Sequence, residues 1–162
     1  MNTTPLLEQY VGERLRVNGM TLALAESCTG GLVAKRLTDV PGSSNYLIGG
    51  MVAYDNTVKC QFLGVREETL TEHGAVSETV AQQMARGARV MFGTDLAVSI
   101  TGIAGPGGGS ADKPIGLTFV GLNALTGTWV RRFEFAGSRA EVRQAASDAA
   151  LQIVLDYLDG NL

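Results

Sequence analysis

Met20-Thr21-Leu22-Ala23-Leu24-Ala25-Glu26-Ser27-Cys28-Thr29-Gly30-Gly31 is the stretch on which the fold turns. Met20 to Ala25 is a short apolar run closed off by polar and glycine residues, the pattern of a buried strand. Glu26 to Gly31 then makes a loop that opens a helix at about 29–39. A strand that feeds a turn and then a helix is the repeating unit of α/β folds.

Working outward, residues 5–18 read as an amphipathic helix, with Leu7, Tyr10 or Val11, and Leu15 on one side and Gly19 placed to end it. After a turn at Pro41-Gly42-Ser43-Ser44, Tyr46 to Tyr54 reads as a second strand with glycines at its middle, and residues 55–63 as a short helix carrying Lys59. Thr69 to Gly74 reads as a loop. Ser77 to Met91 reads as a helix, with Ser77 as N-cap and Val80, Met84, Ala88 and Met91 on one face. Leu96 to Thr101 is a third strand, ending in a glycine-rich loop over 102–114. Ile115 to Ala124 and Thr128 to Phe135, joined by Leu125-Thr126-Gly127, form a β-hairpin. A last helix spans 139–159, with Val142, Ala146, Ala149 and Ile153 on one stripe. The expectation is an α/β fold: three layers, α/β/α, a mixed sheet and a C-terminal β-hairpin, in one domain over 1–162.

Bulk composition narrows the function. Of 162 residues, 45 % are hydrophobic and 18 % charged, with a net charge of −3, so no basic surface is expected to track nucleic acid. No apolar run is long enough to span a membrane, and MNTTPLLEQYVGERLRVNGM lacks the apolar centre of a secretory signal. The two cysteines, Cys28 and Cys60, cannot build a disulfide framework, which points to the reducing cytoplasm and to a small-molecule ligand. One histidine and two separated cysteines give no metal-ligand cluster, so neither metal nor cofactor is expected. Nine of the 21 glycines fall in clusters at 30–31, 49–50 and 102–109, after or within strands, where backbone turns sharply or approaches a ligand.

Ser27 is the first chemical candidate. A serine at a strand-to-helix turn exposes its hydroxyl, and the N–H groups that follow can stabilise an oxyanion, although the same serine could serve only as a helix cap. A serine nucleophile needs a base. His73 lies on an apparent loop and is the weaker candidate. Lys59 can serve if desolvation lowers its pKa, whereas Lys35 and Lys113 have no comparable setting. Cys28 is an alternative nucleophile without an evident histidine partner. The loop from Ser99 to Gly109 is neither a Walker A loop nor a dinucleotide fingerprint, but its N–H groups could receive a phosphate or carboxylate. Arg139 and Arg143, one helical turn apart, could clamp an anion.

Four ordered motifs, Ala25 to Gly31, Gly50 to Tyr54 with Lys59, His73 to Glu78, and Ser99 to Gly108, resemble the CinA C-terminal domain family. The resemblance implies a three-layer α/β/α oligomer without the larger N-terminal domain of fused members. It also implies hydrolysis of the carboxamide of nicotinamide mononucleotide by a metal-free Ser–Lys mechanism. It places the catalytic roles on Ser27, Lys59 and Tyr54, with Lys59 taking the serine proton directly or through the Tyr54 hydroxyl. Substrate binding falls on Thr29, Gly30 and Gly31, which would hold the oxyanion, and on Thr101, Gly102, Ala104, Gly105 and Pro106 with Arg139 or Arg143. Another amide hydrolase, or a nucleotide-binding module without catalysis, remains an alternative.

Overall fold

In the computed structural model, which describes residues 6–162, Leu22–Glu26 forms strand β1 and all five of its residues are buried. The strand starts two residues later than the apolar run. Thr21 is drawn off instead by Asp95, whose carboxylate accepts from both its N–H and its hydroxyl at 2.8 Å. Side chains alternate across a strand. Leu22 and Leu24 therefore join one core, and Ala23 and Ala25 the other.

The sheet has the order β2-β1-β3-β4-β5, with β2 at Leu47–Val52, β3 at Leu96–Gly102, β4 at Leu117–Ala124 and β5 at Gly127–Glu134. Strands β2, β1 and β3 run parallel, and β4 and β5 are antiparallel additions. The sheet is thus mixed and ends in the expected hairpin. One face is covered by α1 (Leu7–Asn18), α2 (Leu32–Thr38) and α6 (Arg139–Leu158). The other is covered by α3 (Asn56–Leu63) and α5 (Glu78–Phe92), with α4 (Glu67–His73) against α5. This is the α/β/α sandwich read from the sequence. No helix among the described residues is long and apolar enough to cross a membrane.

Several boundaries differ, each for a local reason. Residue 5 of the first helix, and the first residues of the segment weighed as a secretory signal, lie outside the described residues. Val11, not Tyr10, occupies the buried side of α1. Residues 69–74 are not a loop: Glu67 and Glu68 supply the acidic first turn that a helix N-terminus favours, and Gly74 ends α4. Gln83 on α5 ties that segment down, accepting from the Arg66 N–H and donating to Thr69 Oγ1, both at 3.0 Å. Helix α2 begins only at Leu32, because Gly30 and Gly31 have φ of +58° and +98° and form a left-handed turn. Met91 is exposed, and Phe92 takes the core contact, over Gly49.

Small residues set how closely α5 approaches the sheet. The Ser99 hydroxyl donates to the Ala81 carbonyl at 2.6 Å, and a Cβ at Gly121 would stand 2.9 Å from that same oxygen. On the outer side of α5, a Cβ at Gly87 would come within 1.9 Å of the Leu63 carbonyl at the end of α3. Helices α3 and α5 therefore touch backbone to backbone.

Candidate active site

Parallel β1, β2 and β3 point their C-terminal ends the same way, and loops leaving such ends converge on a crevice. Here they enclose a cleft of about 280 Å³. Ser27 and Cys28 come from the end of β1, Tyr54, Asn56 and Lys59 from the segment after β2, and Thr101 to Gly105 with Gly107 and Gly108 from the end of β3. Ala75 and Val76, before α5, and Arg139, at the start of α6, complete the walls.

Ser27 extends the ladder by one residue, its N–H donating to the Ile100 carbonyl at 3.0 Å, so its backbone is fixed by the sheet. Lys59 reaches it from α3. Its Nζ donates to Ser27 Oγ at 3.2 Å and to the Tyr54 carbonyl at 2.9 Å. Only 1 % of Lys59 is exposed, although it is among the longest side chains in the protein. Burial holds its pKa below the usual lysine value, with Asp55 pulling weakly the other way. Both partners of Nζ are neutral oxygens, so nothing in direct contact demands the ammonium form.

The turn after Ser27 is closed by Glu26, itself 1 % exposed. Its carboxylate accepts from the N–H groups of Gly31 (3.0 Å), Val33 (3.2 Å) and Ala34 (2.8 Å), which occupies the N-terminus of α2. The Gly30 N–H donates to the Ser27 carbonyl at 3.0 Å. The oxyanion role read for Gly30 and Gly31 is therefore corrected: their donors are already engaged. Among the described residues, the Cys28 and Thr29 N–H groups donate to no other residue. Thr29 is fully buried, its hydroxyl unpaired among the described residues, and like Gly30 and Gly31 it does not line the cleft.

The two arginines part company. Arg139 lines the cleft and donates to the Gly105 carbonyl (2.9 Å) and the Tyr54 hydroxyl (3.1 Å). Arg143 lies outside the cleft wall and donates from Nε to the Cys28 carbonyl (3.1 Å) and from Nη2 to the Thr29 carbonyl (2.8 Å). The Tyr54 hydroxyl thus bonds to Arg139 rather than to Ser27 or Lys59. Tyr54 reaches Lys59 through its main-chain carbonyl, and Ser27 and Lys59 meet directly, with no hydroxyl between them. Thr101 Oγ1 donates to the Ala75 carbonyl at 2.8 Å, which ties the end of β3 to the opposite wall. Thr101, Gly102, Ala104 and Gly105 line the cleft as expected, and Pro106 does not.

Cys28 is 6 % exposed, and burial pushes its thiol up to about 11, which leaves it a weak nucleophile. His73 ends α4, exposed and outside the cleft. Lys113 donates to its carbonyl, and Lys35 pairs with Asp39 on the surface. Among the described residues, no group of three or more His, Cys, Asp and Glu side chains could hold a metal ion. Ala75, Val76 and Ile103 line the cleft from motifs noted in the sequence without having been given a role, and Asn56 lines it from outside those motifs. Asn56 had one available signal, since it precedes Lys59 by three residues on the same helical face.

Known proteins carry the same arrangement of chain. The family model of the CinA C-terminal domain matches residues 5–158. A CinA-like protein of Desulfotalea psychrophila is 47 % identical over 152 residues, which is 94 % of this chain and 37 % of that protein. A CinA-like protein of Geobacter sulfurreducens is 51 % identical over 145 residues, 90 % of this chain and 35 % of that one. The chain thus spans little more than a third of the length of these curated relatives. Among solved structures, the competence/damage inducible protein CihA of Agrobacterium tumefaciens superposes with a TM-score of 0.88 at 41 % identity, covering 98 % of this chain and 99 % of that one. A CinA superfamily protein of Klebsiella pneumoniae gives a TM-score of 0.92 at 33 % identity, covering 95 % and 96 %. A match over nearly the whole chain, in sequence and in fold, places this protein in the CinA C-terminal domain family.

Proposed function

We propose that this chain is a serine amidohydrolase that converts nicotinamide mononucleotide to nicotinate mononucleotide and ammonia, with Ser27 as nucleophile and Lys59 as base. The observation that carries the reading is the buried Lys59 amine 3.2 Å from the Ser27 hydroxyl. A neutral amine has two N–H groups and one lone pair. With one N–H held by the Tyr54 carbonyl, the lone pair can accept the serine proton.

Ser27 Oγ attacks the carboxamide carbon, and its proton passes to Lys59 Nζ. The oxyanion of the tetrahedral intermediate accepts from the free N–H groups of Cys28 and Thr29. Lys59 then gives its proton to the departing nitrogen, ammonia leaves, and an ester to Ser27 remains. Water adds to that ester with Lys59 again as base, releasing the nicotinate product and restoring Ser27. Arg139 and the N–H groups of Ala104, Gly105, Gly107 and Gly108 provide the positive end of the cleft for the substrate phosphate.

The test is ammonia release from nicotinamide mononucleotide by the wild-type protein beside Ser27→Ala. Release by the wild type and none by the variant supports the reading. A folded wild type that releases no ammonia from this substrate overturns it.

A further inference from the structure

Arg143 was a candidate anion clamp in the sequence, yet both of its hydrogen bonds go to the backbone of the turn after Ser27. A peptide group is planar and trans, so its C=O and N–H point in opposite directions. The Cys28 carbonyl and the Thr29 N–H share one peptide. Holding that carbonyl on Arg143 Nε aims the Thr29 N–H away from the guanidinium. The Thr29 carbonyl shares its peptide with the Gly30 N–H. Holding it on Nη2 directs that N–H to the Ser27 carbonyl, the 3.0 Å bond that closes the turn. Glu26 meanwhile consumes the donors of Gly31, Val33 and Ala34. Among the described residues, the Cys28 and Thr29 N–H groups are the two from Cys28 to Ala34 that donate to no other residue.

We infer that Arg143 is a positioning residue for oxyanion stabilisation: it holds the Cys28–Thr29 peptide directly, and the Ser27–Cys28 peptide through the Gly30 N–H that it aims at the Ser27 carbonyl, so that the Cys28 and Thr29 N–H groups receive the carbonyl oxygen of the group under attack, and it takes no part in binding phosphate. The inference rests on Ser27 as nucleophile but not on which amide is hydrolysed. Donors held in place before reaction contribute most, because they need no reorganisation as charge develops. A guanidinium suits the task, since its planar fork spans two neighbouring carbonyls where a lysine ammonium is a single point.

The experiment compares Arg143→Ala, Arg143→Lys and Arg139→Met on nicotinamide mononucleotide and on nicotinamide riboside, which lacks the phosphate. In parallel, the rate at which a fluorophosphonate probe labels Ser27 is followed by mass spectrometry, and circular dichroism confirms folding. For both Arg143 variants, kcat is expected to fall by about 10²-fold on the nucleotide and the riboside alike, with KM little changed and labelling slowed in parallel. A phosphate-binding Arg143 would instead raise KM on the nucleotide alone, as expected for Arg139→Met, and that result overturns the inference. Labelling of the variants at the wild-type rate overturns it as well, as does a wild type that the probe does not label at Ser27. If the wild type releases no ammonia from either compound yet is labelled at Ser27, and both variants are labelled more slowly, the substrate reading fails and the role of Arg143 stands. Arg143→Lys keeps the charge on α6, so it provides the folded comparison should Arg143→Ala unfold.

Discussion

Lys59 Nζ stands 3.2 Å from Ser27 Oγ, on a side chain that the folded protein removes from solvent almost completely. A lysine in this position acts as a base only while neutral, and burial shifts it toward that form.

The first prediction concerns pH. Hydrolysis requires neutral Lys59, so kcat/KM should rise with pH and level off above the lowered lysine pKa, falling about tenfold per pH unit on the acid side. A profile that stays flat down to pH 5 would rule Lys59 out as base. Stability follows from the same shift. Between the lowered folded value and the ordinary 10.5, the unfolded chain holds a proton that the folded chain does not, so this group makes the protein more stable as pH rises through that window. Below it the full penalty of charging a buried amine applies. Lys59→Met should therefore be inactive yet more stable than wild type at neutral pH, with the difference shrinking toward pH 10.5, as read by urea unfolding across pH.

Ser27→Ala removes one hydroxyl whose only side-chain partner among the described residues is Lys59. The kcat for ammonia release should fall by about 10³-fold or more, while the thermal midpoint stays close to that of wild type. An active Ser27→Ala enzyme would move the nucleophile elsewhere.

With its thiol pushed up to about 11, Cys28 is about 0.1 % thiolate at pH 8. Iodoacetamide should leave it unmodified in the folded protein, and Cys28→Ala should keep most of the wild-type kcat. Loss of activity in a folded Cys28→Ala protein, with rapid alkylation of Cys28 in the wild type, would reverse the assignment of nucleophile.

Glu26 accepts three N–H groups inside the protein. Glu26→Ala orphans these donors and should lower the unfolding free energy by about 2–4 kcal/mol. Glu26→Gln keeps an acceptor oxygen and should lose less. Chemical denaturation of the two variants gives the comparison, and an unperturbed Glu26→Ala would mean that solvent reaches the α2 N-terminus.

Much of this was legible in the residues themselves. The apolar period and the glycine punctuation marked every strand, because five short strands separated by turn residues leave little room for another reading. Ser27 and Lys59 could be read as a serine at a strand end and a lysine on the next connection, and the structure brings them together. Helix α4 was missed although Glu67, Glu68 and Gly74 were local signals for it; the contacts from Gln83, a residue of a different element, are what local patterning does not carry. The division between Arg139 and Arg143 was also hidden. Both sit at the start of one helix, and only the path of the Cys28–Gly31 backbone decides which of them faces the cleft. The engagement of the Gly30 and Gly31 N–H groups was hidden for a related reason: sequence marks where N–H groups are, and tertiary structure decides which are already taken.

The contact between Gly87 and the Leu63 carbonyl reaches further than packing. Leu63 closes the helix that bears Lys59, so the height of that helix over its neighbour is metered by a missing methyl group. Mutational drift at position 87, remote from the cleft, would act as a screw thread on the gap between Lys59 and Ser27. Among the descendants of this sequence, the residue at 87 should therefore be policed by selection on turnover as well as on folding.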